Sequence, residues 1–424
     1  MKYEVFHGKK LATLDIPGKW DNVEIPMVNK APLTNPENDI KTLLRNPTDS
    51  PPLSKLVKPS EQIAICVTDI SRNSPDFILL PPLLVELEKA GIARQNITII
   101  IGTGSHRDVT LEEMKTKYGY YASSNFRILN HNSRDSYQLR ELGKTSSGAP
   151  IVLNMVLTMV DHIINVGVTD LHQYAGYSGG AKTIAVGCAG EETIQFTHSA
   201  NFLEKSGAIP GNVNGNLFQD TLWEIVEPVP FDFSINVIVN EDGKILEIDA
   251  GKPRTVFDNM VVKAREIFEY EVDKGFDIAF LGVPYPKDIN LYQATRPATY
   301  QALSDNPVMK RDGIINLICS CPEGIGKGVG EMRFKEKMLK FPNPAAILLS
   351  MSGKQTKPGE QRAFMVAQAM MKNKINIFGS SIPNKELLNM GFLAQSLIPF
   401  DMFNRDIRAV IMKDGSKKLL KLKS

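Results

Sequence analysis

The sequence predicts an α/β protein made of two α/β domains with mostly parallel sheets and an active-site cleft between them. Residues 62–68 (QIAICVT), 97–101 (ITIII) and 162–168 (HIINVGV) are short continuous apolar runs, typical of strands buried on both faces. Segments with helical spacing of apolar residues alternate with these runs, and such alternation predicts a parallel sheet. A fresh strand–loop–helix series starts at residues 276–283 (FDIAFLGV), which indicates a second domain.

The first predicted domain, residues 1–272, is assigned cofactor binding and catalysis. Its polar–apolar alternation predicts an N-terminal hairpin that turns at Gly8, followed by a loop-rich connector at 27–60, where Pro, Asn and Ser are frequent. The remaining predicted elements are helices at 77–90, 111–118, 216–226 and 255–270, and strands at 126–130, 233–239 and 244–248.

The second predicted domain covers residues 273–405. It is predicted to contain strands at 313–319, 345–350 and 375–378, with a helix at 360–372. The tail, residues 406–424, alternates as a strand does, and we expect it to return to the first domain.

Composition excludes several classes of protein. The 424 residues are 42% hydrophobic and 23% charged, as in ordinary globular proteins, and the formal net charge of +2 does not call for nucleic acid or an anionic membrane. A run of 18 apolar residues is absent, so no membrane span is expected. The four cysteines form neither a disulfide framework nor a paired zinc motif, which favours a reducing cytoplasm.

Reactive side chains follow three of the predicted strands. Asp69 and Arg72 come after the first, His106 after the second and His172 after the third. Ligands of open parallel sheets bind at the carboxyl ends of the strands, so we expect these side chains to share one edge. Histidine serves as acid or base near neutral pH, and an arginine fork matches a carboxylate.

The stretch 170–199 (DLHQYAGYSGGAKTIAVGCAGEETIQFTHS) holds two histidines, a lysine and five glycines. Lys182 follows a Gly-Gly-Ala turn, and a lysine amine can bind a cofactor covalently. On the local pattern alone, Lys182 fits a solvated lysine at a helix start better than a cofactor attachment. The residues by themselves indicate a small anionic substrate, acid–base histidines, and a group held by Lys182 and His198 that they do not identify.

Five motifs together resemble the nickel-pincer-nucleotide-dependent lactate racemase family over essentially the whole chain. The block at 170–202 is the most specific of them, whereas DxSR and TGSHR would be weak alone. The motifs are DxSR at 69–72, TGSHR at 103–107, DLHQYAGYSGGAKTIAVG at 170–187, THSANF at 197–202 and LYQATRP at 291–297.

The resemblance implies a racemase or epimerase of a 2-hydroxy acid. The α-hydrogen would leave as hydride to a nickel-pincer nucleotide, a nickel-bound pyridinium-3-thioamide-5-thiocarboxylic acid mononucleotide, through a 2-keto acid that can reorient. Separate cofactor-synthesis proteins would be required. By position, the resemblance implies Lys182 as the covalent attachment, His198 as the nickel ligand, His106 and His172 as acid–base groups, Arg72 as the carboxylate clamp, Asp69 as a neighbour of the cofactor, and Tyr292 and Gln293 as lining residues.

Two departures from the family pattern concern the substrate pocket. Arg296 stands where the family's lysine is expected to contact substrate, and the two side chains are not interchangeable at a bidentate site. The region 353–362 lacks the expected tryptophan, since the chain contains only Trp20 and Trp223. Both changes leave cofactor use intact and predict a larger or more anionic 2-hydroxy acid, whose second carboxylate an additional basic group would suit.

Two other functions stay open at this stage. A zinc-type metal hydrolase would bind the ion through His106, His172 and His198, but HxH and HExxH spacings are absent. A non-catalytic cofactor-binding protein would need only Lys182 and His198, which leaves the other two histidines and Arg72 without a role.

Overall fold

The computed structural model describes residues 1–27, 30–205, 207–341, 343–397 and 406–423. Its strands are β1 (Lys2–Gly8), β2 (Lys10–Asp15), β3 (Asp21–Ile25), β4 (Ile63–Thr68), β5 (Ile97–Gly102), β6 (Arg127–Asn130), β7 (Leu139–Lys144), β8 (Pro150–Asn154), β9 (His162–Val168), β10 (Leu171–His172), β11 (Gly176–Tyr177), β12 (Phe231–Val239), β13 (Ile245–Gly251), β14 (Glu269–Val272), β15 (Phe276–Pro284), β16 (Met309–Ile318), β17 (Lys374–Phe378), β18 (Arg408–Met412) and β19 (Leu419–Leu422).

Helices cover both sheets, and within the described ranges of the chain no helix is long and apolar enough to cross a membrane. The α-helices are α1 (Pro36–Arg45), α2 (Leu53–Leu56), α3 (Asp76–Lys89), α4 (Leu111–Asn125), α5 (Lys182–Ala185), α6 (Glu191–Thr197), α7 (Ala200–Lys205), α8 (Leu217–Val226), α9 (Pro253–Phe268), α10 (Leu291–Ala294), α11 (Arg296–Leu303), α12 (Val329–Lys340), α13 (Pro344–Met351), α14 (Glu360–Met370) and α15 (Asn384–Asn389).

The first large sheet has the strand order β13-β12-β9-β4-β5-β6, and all its pairs are parallel except β12 with β13. Its central strand β4 is buried along its whole length. Ile65 packs into the core cluster that contains the apolar face of α3, whereas Cys66 packs into the cluster beneath α5 and α8. An apolar run without alternation therefore forms this strand because both of its faces are covered by helices.

Register brings the ends of three strands together at one edge of this sheet. Thr68 of β4 pairs with Gly102 of β5, and Val67 of β4 pairs with Val166 of β9. The expected convergence of the loops after these strands is thereby confirmed.

The second large sheet has the order β17-β16-β15-β1-β2, with β18 pairing both β15 and β3. The predicted hairpin is observed, because β1 and β2 pair antiparallel from Lys2–Asp15 to His7–Lys10. Strands β1 and β3 thus join the sheet of the predicted second domain, while β19 of the tail pairs with β14. The domain division at 272/273 remains a prediction, and the predicted end of the second domain at residue 405 lies outside the described residues.

Two element predictions are wrong. Residues 345–350 form part of α13 rather than a strand, because Pro344 starts a helix and Asn343 caps it by accepting a hydrogen bond from the Ala345 amide at 2.9 Å. The connector at 27–60 contains α1 and α2. Helix α1 is capped by Asn35 and has an amphipathic pattern that buries only Ile40 and Leu44, a signal too short to stand out among prolines.

Candidate active site

A cavity of about 680 Å³ opens at the carboxyl edge of the first sheet and is closed from the other side by α10–α12 and the start of α14. Its volume lies in the range typical of cofactor and small-molecule sites. The structure brings all nine site residues predicted from the sequence to its wall: Asp69, Arg72, His106, His172, Lys182, His198, Tyr292, Gln293 and Arg296.

Close backbone contacts hold the His106 and Lys182 segments against each other. A Cβ on Gly102 would lie 3.2 Å from the Gly187 Cα, and one on Gly187 would lie 2.3 Å from the Thr183 carbonyl oxygen. The Gly104 amide donates to the Gly187 carbonyl at 2.9 Å. Only glycine permits this approach, which is why the glycines at the end of β5 and after α5 fix the site.

His106 and Asp69 form a hydrogen-bonded pair, with 2.7 Å between the His106 Nδ1 and an Asp69 carboxylate oxygen. Ser71 donates to the other oxygen at 2.6 Å. Burial works to raise the pKa of Asp69, but the hydrogen bond and charge of His106 outweigh it and the pKa lies below its ordinary value. The carboxylate accepts a hydrogen bond from the Nδ1–H, so in the neutral ring the Nε2 of His106 has a free lone pair.

His172 has the opposite tautomer. Its Nδ1 accepts hydrogen bonds from the backbone amides of Tyr174 at 3.3 Å and Ala175 at 3.1 Å, so its proton lies on Nε2. Burial, followed by the positive charges of Lys182 and Arg72, holds the pKa of His172 well below 6.5. The ring is therefore neutral and presents an N–H at Nε2.

Lys182 is the first residue of α5, and its amine titrates far below an ordinary lysine. Burial lowers the pKa of Lys182 to about 7, with further lowering by the charges of Arg72 and Arg296. The amine is therefore more readily uncharged near neutral pH than an ordinary lysine, as a nucleophile requires.

His198 ends α6 in an aromatic setting. The rings of Phe218 and Tyr174 lie edge-on to it, with centroids 5.2 Å and 5.6 Å away. Its Nδ1 donates to the Ile194 carbonyl at 3.1 Å, which leaves the Nε2 lone pair free. Burial and the charge of Lys182 lower the pKa of His198 to about 3. A neutral imidazole oriented by a backbone carbonyl is how histidine usually coordinates a metal.

Arg72 and Arg296 supply positive charge to the cavity wall. Neither has a carboxylate within 4 Å among the residues that the structure describes. The nearby acid Asp170 is engaged by Lys417 at 3.1 Å. Burial and the charge of Arg296 lower the pKa of Arg72. An anion in the cavity would relieve this repulsion.

Several residues of the site were missed in the sequence. Tyr174 contacts both His172 and His198, and Gln173 lines the cavity. Arg362 of α14 donates to Gln173 and lies fully buried. It falls in the region where the family pattern places a tryptophan, whereas Trp20 and Trp223 do not line the cavity. Its signal was an arginine directly before the apolar run AFMVA of α14.

The fold and cavity define a two-sheet α/β protein with a built small-molecule site, and comparison with known proteins identifies its relatives. Residues 7–209 match the family model of the lactate racemase N-terminal domain. The lactate racemase of Thermoanaerobacterium thermosaccharolyticum is 26% identical over 435 residues, covering 99% of this chain and 99% of the relative. That of Lactiplantibacillus plantarum is 28% identical over 356 residues, covering 83% of this chain and 81% of the relative.

Solved structures agree. The lactate racemase apoprotein from Thermoanaerobacterium thermosaccharolyticum superposes with a TM-score of 0.88 at 25% identity, covering 99% of this chain and all of that one. A protein from Thermotoga maritima shares the fold at 17% identity, with a TM-score of 0.68 over 93% of this chain and all of that one. The two curated relatives that the chain resembles over 99% and 83% of its length are thus lactate racemases, which are isomerases.

Proposed function

We propose that the protein is a racemase or epimerase of a lactate-like 2-hydroxy acid that works with a nickel-pincer nucleotide attached to Lys182. One observation carries the proposal. A single cavity joins an amine with a pKa of about 7, a neutral histidine with a free Nε2, a His–Asp pair and an arginine without a carboxylate partner among the described residues.

The residues present fit that cofactor. The uncharged amine of Lys182 suits a thioamide bond, and the Nε2 of His198 would coordinate the nickel, since imidazole is a suitable ligand for that metal. When bound, the cofactor would supply a hydride acceptor.

The chain's own residues handle the carboxylate and the hydroxyl proton. Arg72 binds the carboxylate through its planar fork. The Nε2 of His106 takes the hydroxyl proton, and Asp69 stabilises the imidazolium that results. His172 donates its Nε2 proton as a hydrogen bond to the substrate oxygen, so both enantiomers present that oxygen between the two rings.

The rival functions receive less support. Within the part of the chain that the structure describes, no group of three His, Cys, Asp or Glu side chains could hold a metal ion, as a zinc hydrolase requires. A carrier has no use for the hydrogen-bonded pair of His106 and Asp69. All four cysteines are buried free thiols, which suits the reducing cytoplasm to which we assign the enzyme.

The test uses protein made in a host that also carries the cofactor-synthesis proteins. Nickel content and the mass of the Lys182 peptide establish loading. Single enantiomers of 2-hydroxy acids are then incubated and resolved by chiral chromatography. We expect interconversion of at least one acid, its loss in Lys182→Ala and His106→Ala, and its retention in His7→Ala, which alters a histidine outside the cavity. Loaded protein that interconverts no 2-hydroxy acid would contradict the proposal.

A further inference from the structure

Among the residues that the structure describes, three buried polar atoms have no hydrogen-bond partner where the wall of the cavity is formed by α10, α11 and α14. They are the Tyr174 hydroxyl, the Arg296 Nε and the Arg362 Nη2. Tyr174 is only 2% exposed, and both it and Arg296 line the cavity. Buried donors left unpaired cost free energy, so a cluster of them beside a cavity indicates that a ligand completes their hydrogen bonds.

Arg362 adds a buried charge to this cluster. Its Nε donates to the Thr295 hydroxyl at 2.9 Å, and its Nη1 donates to Gln173 and to the Thr299 hydroxyl at 3.4 Å. All three acceptors are neutral, and no carboxylate lies within 4 Å among the described residues. A guanidinium with no exposed surface and no counter-ion is strongly disfavoured until an anion approaches.

The same contacts place Arg362 behind Arg296. Thr295 and Thr299 flank Arg296 at the start of α11, and Gln173 is the neighbour of His172. Arg362 therefore positions Arg296 and the His172 loop relative to each other, whereas Arg296 itself faces the cavity.

The charges of the cavity wall exceed what one carboxylate requires. At the rim, Arg107 is paired with Glu113 and Arg134 with Glu191. Asp69 is engaged by His106, as described above. Arg72 accounts for one substrate carboxylate, and Glu331 offsets the charge of Arg333 in the same wall. This leaves Arg296 and the charge of Arg362 behind it without a counter-ion among the described residues.

We infer that the substrate is a 2-hydroxy acid with a second carboxylate, a 2-hydroxy dicarboxylic acid such as malate, and that Arg296 and the Tyr174 hydroxyl bind the second carboxylate. The inference rests on the proposed function for the chemistry at the α-carbon. The arginine fork and the phenol proton together give the planar carboxylate three donors, and Arg362 adds long-range attraction from behind. The methyl group of lactate would leave all of these donors unpaired.

Binding to the apoprotein tests this without turnover. Isothermal titration with L-malate and with L-lactate is run on wild type, Arg296→Gln, Arg296→Lys and the control Arg134→Gln, which removes an arginine that is already paired at the rim. We expect wild type to bind malate at least about tenfold more tightly than lactate. Arg296→Gln should lower the affinity for malate about 10- to 100-fold and leave the affinity for lactate unchanged. Arg296→Lys should keep part of the preference, and Arg134→Gln all of it.

The loaded enzyme gives the second readout. We expect kcat/KM to favour malate over lactate and Arg296→Gln to reverse the order. Equal use of both acids, or a preference for malate that survives Arg296→Gln, would overturn the inference while leaving the proposed function intact. Malate binding that disappears once the cofactor is loaded would also overturn it, since the donors would then serve the cofactor. If the loaded enzyme is inactive but the apoprotein still binds malate through Arg296, the proposed function fails and the dicarboxylate subsite stands.

Discussion

At the scale of single residues, the two histidines proposed to handle the hydroxyl proton are not equivalent. Asp69 fixes His106 with a free Nε2, whereas two backbone amides fix His172 with a protonated Nε2. A positively charged His172 would direct its Nδ1 proton at two N–H donors, so proton uptake there is disfavoured. Both histidines were predicted at the site from the sequence, but their tautomers depend on the Asp69 carboxylate and on two backbone amides, contacts that form only in the folded protein.

Glutamine substitutions should separate these roles. His106→Gln removes the base and should lower kcat about 10²- to 10⁴-fold. His172→Gln keeps an N–H donor and should lower kcat roughly tenfold, because the hydrogen bond is weakened rather than lost. Steady-state kinetics in both directions measure this, with nickel content as the control for loading. Equal losses in the two variants would show that the histidines act alike.

Lys182 should react as an unusually acidic amine in the apoprotein. Labelling by an amine-directed reagent, followed by mass spectrometry of its peptide, should be half-maximal near pH 7. Ordinary lysines reach half-maximal labelling about three pH units higher. Arg72→Met removes a positive charge that lowers the pKa of Lys182, so the midpoint should move upward. A midpoint above pH 9 in wild type would refute the proposed activation.

At the scale of elements, a glycine turn places the start of α5 at the cavity wall. Gly179 and Gly180 have φ values of +97° and +54°. A Cβ on Gly180 would lie 2.8 Å from Phe257 and 2.9 Å from Trp223, so the turn is packed tightly against aromatic side chains. The turn could be predicted from the sequence because glycine is required there. Its packing against the rings of Phe257 and Trp223 could not be predicted.

Gly180→Ala should be more destabilising than its backbone angle alone explains. The matched control is Gly215→Ala, with a φ of +61° and, its chain neighbours apart, no atom of the described residues within 4 Å of the added Cβ. The control should cost about 1 kcal/mol of unfolding free energy from left-handed strain. Gly180→Ala should add about 1–3 kcal/mol from overpacking and should slow modification of Lys182. Chemical denaturation measures the difference, and similar losses in both variants would contradict it.

At the scale of the whole molecule, the last strands tie the parts of the chain together. Strand β18 lies between β15 and β3, β19 pairs with β14, and Lys417 between them reaches Asp170 beside the cavity. The apolar runs predicted β4, β5, β9 and β15 because strands buried on both faces carry that signal locally. Partners distant in sequence, such as β1 with β15 or Arg362 with Gln173, have no local signal.

Lys417→Met should destabilise the fold by about 2 kcal/mol at neutral pH, because it removes the partner of a largely buried carboxylate. The control Lys310→Met breaks a more exposed ion pair with Asp277 and should cost less than about 1 kcal/mol. Burial works to raise the pKa of Asp170, but the charges of Lys417 and Lys287 hold it below its ordinary value. The loss of unfolding free energy should therefore be complete above the ordinary aspartate pKa. It should shrink as the pH falls through the pKa that Asp170 has in the folded protein. A loss that stays constant into acid would contradict the ion-pair account.

The fate of the α-hydrogen tests the central proposal most directly. Loaded enzyme is incubated in ordinary water with the racemised acid identified by the chiral assay, deuterated at the α-carbon, and the product enantiomer is analysed by mass spectrometry. Hydride return to the same substrate molecule predicts that the product keeps its deuterium. Loss of the label to solvent at the rate of racemisation would mean that the histidines abstract the α-hydrogen as a proton, and the proposed hydride mechanism would be wrong.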